Sequence, residues 1–124
     1  MTEKGYRYPQ AAVNLTDLLA RVENDRELMR ELIGIFKEDF PYLLQSLQES
    51  VARQDVKKVQ DTSHALKGML SGLSVMQAAA TASRLEQMAR EGNTSGLTVA
   101  LALLESQVAQ LFPELDAYAE EAQS

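Results

Sequence analysis

The residues with chemistry to offer lie in one stretch, Asp61-Thr62-Ser63-His64-Ala65-Leu66-Lys67-Gly68-Met69-Leu70-Ser71-Gly72. His64 is the single histidine of the 124-residue chain, and there is no cysteine. Among common side chains only histidine has an unperturbed pKa near neutrality, so a solitary one can serve as nucleophile or proton carrier at cellular pH. Lys67 and Gly68 follow three and four residues later, the spacing that puts them beside His64 on a helix. An ammonium there can neutralise an anion arriving at the ring, and a residue without a side chain lets another molecule come close. Ser71 is small and can donate a hydrogen bond. A nucleophile, a neighbouring cation and a cleared surface together suit acceptance of a phosphoryl group, in which protein groups mostly position and neutralise.

That chemistry requires the ring to face outward. Val56, Val59, Ser63, Leu66, Leu70 and Leu73 are spaced three, four, three, four, three, which defines the buried stripe of a helix. At about 100° per residue His64 lies roughly 140° from the centre of that stripe, so the imidazole is expected in solvent. Gln60, Asp61, Lys67, Gly68 and Ser71 share its face. A glycine inside a helix costs about 1 kcal/mol relative to alanine. Gly68 falls on the side away from the apolar stripe, where helix packing gives no reason for it.

The elements that must carry this face read as helices throughout. Met1–Val13, with Gly5 and Pro9, has no sustained period and reads as a tail or linker, although Tyr6 and Tyr8 could dock on the body. Residues 14–124 form the domain. Leu15, Leu18, Leu19 and Val22 predict a short first helix capped by Asn14 or Thr16, and Asn24-Asp25 caps the next, with Glu27 in capping-box relation to Asn24. The second helix carries Leu28, Leu32, Ile35, Phe36, Phe40, Leu43, Leu47 and Val51 as its apolar stripe, with a kink rather than a stop at Pro41. Asp55 opens the third helix, which Gly72 closes; Ser74 and Gln77 form a capping box for the fourth, with Val75, Ala78, Ala82, Leu85 and Ala89 on its inner face. Gly92-Asn93 ends it. Thr94 or Ser95 then starts a last helix lined by Leu97, Leu101, Leu104, Val108, Leu111, Leu115 and Tyr118, bent at Pro113 and fraying from Glu120. No segment alternates with period two, and the connections are short. The expected fold is all-α, an antiparallel up-down-up-down four-helix bundle with a short additional N-terminal helix.

Composition narrows the function classes. A net charge of −6 and a pI near 4.8 argue against nucleic acid or an anionic membrane as partner. Nothing approaches the roughly 20 apolar residues of a membrane span, and the N-terminus has no apolar signal core. Without cysteine there is no thiol or disulfide chemistry, and one histidine leaves little for a metal site. The expectation is a cytoplasmic domain, monomeric, with no cofactor of its own. No glycine-rich nucleotide motif is present, so no ATP site and no autonomous kinase activity are expected.

His64-Ala65-Leu66-Lys67-Gly68 resembles the His-x-x-Lys-Gly signature of histidine-containing phosphotransfer (HPt) domains of bacterial two-component phosphorelays. The likeness runs from about Leu15 to Leu115 and takes in the Asn-Asp turn, the long helix with its central proline, the motif helix and the Arg84-Leu85-Glu86 region before Gly92. The resemblance implies that His64 takes a phosphoryl group from one receiver-domain aspartate and passes it to another, with Lys67 as charge partner and Gly68 clearing the docking surface. Response-regulator receivers are the implied partners, with a hybrid sensor kinase in cis or trans, and the receiver brings the magnesium. The family often has glycine seven and ten residues after the histidine; Ser71 and Ser74 stand there, with a glycine instead at Gly72. Two other readings compete. One is a helical interaction module, a degenerate relative with a silent histidine. The other is a sensor-kinase phosphoacceptor domain, which normally carries a proline shortly after its histidine, where Met69 and Leu70 follow Gly68 here.

Overall fold

The computed structural model describes residues 12–123, with side chains as far as residue 120. The expected docking of Tyr6 and Tyr8 and most of the predicted tail lie outside the described residues. Among the described residues there are six helices and no strand: α1 (Leu15–Arg21), α2 (Arg26–Arg53), α3 (Val56–Gly72), α4 (Met76–Arg90), α5 (Leu97–Val108) and α6 (Leu111–Gln123).

Local sequence fixes most of the starts. The side chains of Asn14, Asp25 and Asp55 each accept a hydrogen bond from the backbone N–H three residues on, satisfying one of the orphan donors of α1, α2 and α3. At the α1–α2 turn the cap is Asp25; Glu23 and Asn24 take the left-handed conformation instead. Helix α2 runs unbroken across Pro41.

Three boundaries differ from the sequence reading. Ser74 does not cap α4. It sits at φ 60, fully buried, and its hydroxyl donates to Asp17 Oδ2 at 2.5 Å, while the cap position of α4 is Val75 with no side-chain bond. The left-handed position that ends α3 therefore falls at Ser74, and Gly72 is the last residue of the helix. Asn14 N–H donates to the Ser74 carbonyl at 3.0 Å, so α1 is fastened to the α3–α4 turn twice.

The second difference is at α5, whose cap position is Gly96 rather than Thr94 or Ser95. A Cβ on Gly96 would stand 2.5 Å from Met88 Cε, so the chain passes against α4 at that point. Gly92 holds φ 73 and ends α4 as the sequence predicts.

The third is the last helix, which is two helices. Proline lacks the N–H that would bond to residue 109, and its ring crowds that carbonyl. The chain breaks at Ala109-Gln110, and Pro113 lands in the first turn of α6, where its missing donor has no intrahelical role. The helix runs to Gln123.

One core joins the elements. Helix α2 packs on α3, α3 on α4, α4 on α5, and both α5 and α6 return to α2. Leu18, Met29, Ile33, Leu47, Leu66, Leu70, Leu85, Leu104, Leu111 and Leu115 are almost wholly buried at its centre. Phe36, Phe40 and Phe112 stack and meet edge to face with centroids 4.7 to 6.1 Å apart, fixing α6 on α2. Val13, read from sequence as tail, is buried, and the backbone N–H groups of Ala12 and Val13 both donate to the Glu114 carboxylate at 2.9 Å.

The N-terminal half of α2 turns differently from the predicted stripe. Met29 and Ile33 are buried in place of Leu28 and Ile35, which are 38% and 56% exposed. Leu28, Leu32, Ile35, Asp39 and Tyr42, spaced four, three, four, three, form a second, outward seam beside α3.

Candidate functional site

The inner stripe of α3 is as predicted: Val59, Ser63, Leu66 and Leu70 are buried with Thr62, and Leu73 follows in the turn. That rotation fixes the opposite face in solvent, and the His64 side chain is 69% exposed. Asp61 is exposed and paired along the helix with Lys57.

The ring is nevertheless held. His64 Nδ1 lies 3.0 Å from Oε2 of Glu86, a residue of α4 whose side chain is only 7% exposed. An ionised carboxylate can only accept, so Nδ1 is the donor, and in the neutral ring the lone pair is then on Nε2, directed away from the contact. Lys67 Nζ reaches Oε1 of the same carboxylate at 2.8 Å, and Arg90 Nη2 reaches Oε2 at 3.0 Å from one turn further along α4. The Lys67 ammonium, bonded to Glu86, holds that carboxyl below the ordinary carboxylate range; the His64 bond adds to the effect, and burial opposes it.

Lys67 is therefore no free cation on an open face. Its side chain is two-thirds covered and engaged with α4. Ser71 is half-buried, two helical turns from His64, and its side chain makes no hydrogen bond among the described residues. Of the predicted residues, the structure brings together His64 and Lys67 through a carboxylate that sequence reasoning did not single out. A signal for Glu86 exists: it is four residues after Ala82 and three before Ala89, on the edge of the apolar stripe of α4, and a carboxylate at that edge needs a cationic partner on the helix opposite.

Gly68 lies exposed between His64 and a shallow apolar groove of about 170 Å³ formed by Leu32, Ile35 and Phe36 of α2 with Gly68, Met69, Gly72 and Leu73. A Cβ added at Gly68 or at Gly72 would meet nothing within 4 Å, and neither has a positive φ. The fold itself does not require these glycines. Among the described residues no three His, Asp or Glu side chains converge where they could hold a metal ion.

Fold and site together define a helical bundle that displays one oriented imidazole beside a cleared surface. The Hpt domain family model matches residues 31–121, roughly three quarters of the chain, and the chain belongs to that family. The sequence finds no match among curated proteins. Among solved structures it is similar to histidine-containing phosphotransfer protein B (HptB) from Pseudomonas aeruginosa PAO1, with a TM-score of 0.76 and 21% identity over 90% of this chain and 95% of that one. That likeness carries the fold. No helix among the described residues is long and apolar enough to cross a membrane.

Proposed function

We propose that this chain is a phosphotransfer intermediate, with His64 accepting a phosphoryl group from one receiver aspartate and passing it to another. The observation that carries the reading is the Glu86–Nδ1 contact on a ring that is 69% exposed, because it engages Nδ1 and makes Nε2 the nitrogen whose lone pair is free in the neutral imidazole. In the forward step the Nε2 lone pair attacks phosphorus of the aspartyl phosphate in line, the bond to the aspartate oxygen breaks, and the aspartate leaves as carboxylate. Nδ1 keeps its proton, hydrogen-bonded to Glu86, and the Glu86 carboxylate offsets the positive charge that develops on the ring. Lys67 and Arg90, both bonded to Glu86, supply positive charge on the same side of the site to offset the new phosphoryl oxygens. Magnesium sits with the acyl phosphate on the receiver. The return step is the same displacement on a second receiver, whose aspartate oxygen attacks.

The docking surface in this reading is the exposed face of α3 with the outward seam of α2, the bundle running antiparallel, up-down-up-down, beneath it. Gly68 and Gly72 clear the way, and Leu28, Leu32, Ile35 and Met69 offer apolar contact. Incubation with a phosphorylated receiver should give an acid-labile, base-stable phosphate that is absent from His64→Gln. Equal labelling of that variant would remove the assignment.

A further inference from the structure

Across the seam of α2, on the side away from α3, lies a row of carboxylates. Glu27, Glu31 and Glu38, spaced four and seven, are exposed and follow one edge of the Leu28–Leu32–Ile35 seam, and Asp39 lies exposed within it. Among the described residues none of the four has an ion-pair partner, although Arg26, Arg30 and Lys37 are on the same helix. At about 100° per residue those three cations fall on the side of α2 opposite the seam, roughly 100° beyond the carboxylate row, and Lys37 pairs with Asp116 of α6. The docking surface is thus polarised. It runs from the His64 edge, where Lys67 and Arg90 share the single Glu86 carboxylate and exceed it by one positive charge, through the glycines and the apolar seam, to an acidic edge without ion-pair partners.

We propose that this acidic row selects and orients the receiver, favouring one that carries lysine or arginine beside its own apolar docking element. The inference rests on the phosphotransfer reading of His64 and adds the partner's surface chemistry to it. A basic rim on the receiver matches Glu27, Glu31 and Glu38, and an acidic one is repelled by them. Rim charges of this kind act chiefly on the association rate and on its salt dependence, since they remain solvated in the complex.

The test uses the full chain, two purified phosphorylated receiver domains, one with a basic and one with an acidic rim, and phosphoramidate as a small donor that needs no docking. At low salt the wild-type chain should take phosphate from the basic-rimmed receiver roughly tenfold faster than from the other, and the gap should shrink as salt rises. The charge reversal E27K/E31K/E38K should abolish or invert that preference, with E27Q/E31Q/E38Q intermediate, while phosphoramidate labels all three proteins equally. Unchanged helical circular dichroism together with full phosphoramidate labelling establishes that the variants fold, even where losing Glu27 from the first turn of α2 lowers the melting temperature. An unchanged preference at low salt in the reversed variant overturns the inference and leaves the phosphotransfer reading standing. Failure of both the receivers and phosphoramidate to label wild-type His64 overturns the two together.

Discussion

Replacing Gly68 with alanine separates what the fold needs from what a partner needs. The residue is inside α3, exposed, with ordinary helical φ, and a new Cβ has open space for 4 Å around. Nothing in the chain opposes the methyl group, so only the helix-propensity term remains, about 0.5–1 kcal/mol in favour of alanine. For a domain of this length the unfolding entropy near the midpoint is about 0.26 kcal/mol per kelvin, so Gly68→Ala should raise Tm by about 2–4 °C. Phosphotransfer should move the other way. The methyl stands one turn from His64 at the mouth of the α2–α3 groove, where a docked domain must close on the surface. A loss of about 1.4 kcal/mol in docking is a tenfold lower transfer rate from a phosphorylated receiver, and Gly68→Gln should lose more. Labelling by phosphoramidate should stay constant. The measurements are a thermal melt by circular dichroism and rapid-quench transfer kinetics on the same preparations. A variant that is more stable and transfers at the wild-type rate would refute the clearance role of Gly68; one that is less stable would refute the packing account of the site.

Three further outcomes follow from the geometry around Glu86 and Ser74. Glu86→Gln keeps an acceptor for Nδ1 but removes the charge that Lys67 and Arg90 share. Both cations are exposed enough to turn to water, so the loss near pH 7 should be about 1 kcal/mol. Because the folded Glu86 carboxyl titrates below 4.5, the unfolded chain binds more protons in the window beneath that value. Its contribution is fully present above the window and disappears as pH falls through the folded pKa, so urea unfolding from neutral to acidic pH should show a shallower acid loss in Glu86→Gln than in wild type. Lys67→Ala should lower stability by about 1 kcal/mol through the lost bond to Glu86 and slow transfer roughly tenfold, read by the same melts and quench kinetics. Ser74→Ala leaves a left-handed alanine and no hydroxyl for Asp17, whereas Ser74→Gly relieves the backbone; the alanine variant should be the less stable of the two by about 1 kcal/mol in urea titrations.

The α3 stripe was readable because five buried positions at three-four spacing leave one rotation for the helix, and that rotation turned His64 outward. The same method misassigned Leu28 and Ile35. An apolar seam for a partner and an apolar seam for the core have the same period, and on α2 they lie side by side; only the position of α3 and α6 tells them apart. Glu86 escaped for a related reason, since its role is set by residues 22 and 19 positions earlier that reach it across a helix pair. Ser74 looked like a cap by type and spacing, and the left-handed turn that redirects its hydroxyl to Asp17 depends on how α1 docks. That turn also gives a physical reason for glycine ten residues after the histidine: the position has positive φ, and this chain meets it with a bonded serine. The break before α6 was half legible, Pro113 marking the place and the backbone choosing a stop over a bend.

The imidazole, its orienting carboxylate and both cations all lie between Val56 and Arg90, on two helices joined by a three-residue turn. The candidate site is therefore contained in a single helical hairpin, whose contacts are local in sequence. The other elements are free to diverge so long as they bury the back of that hairpin. In the proposed reading, substitutions in α5 and α6 bear on the stability of the fold, and those on the outward seam of α2 bear on the choice of partner.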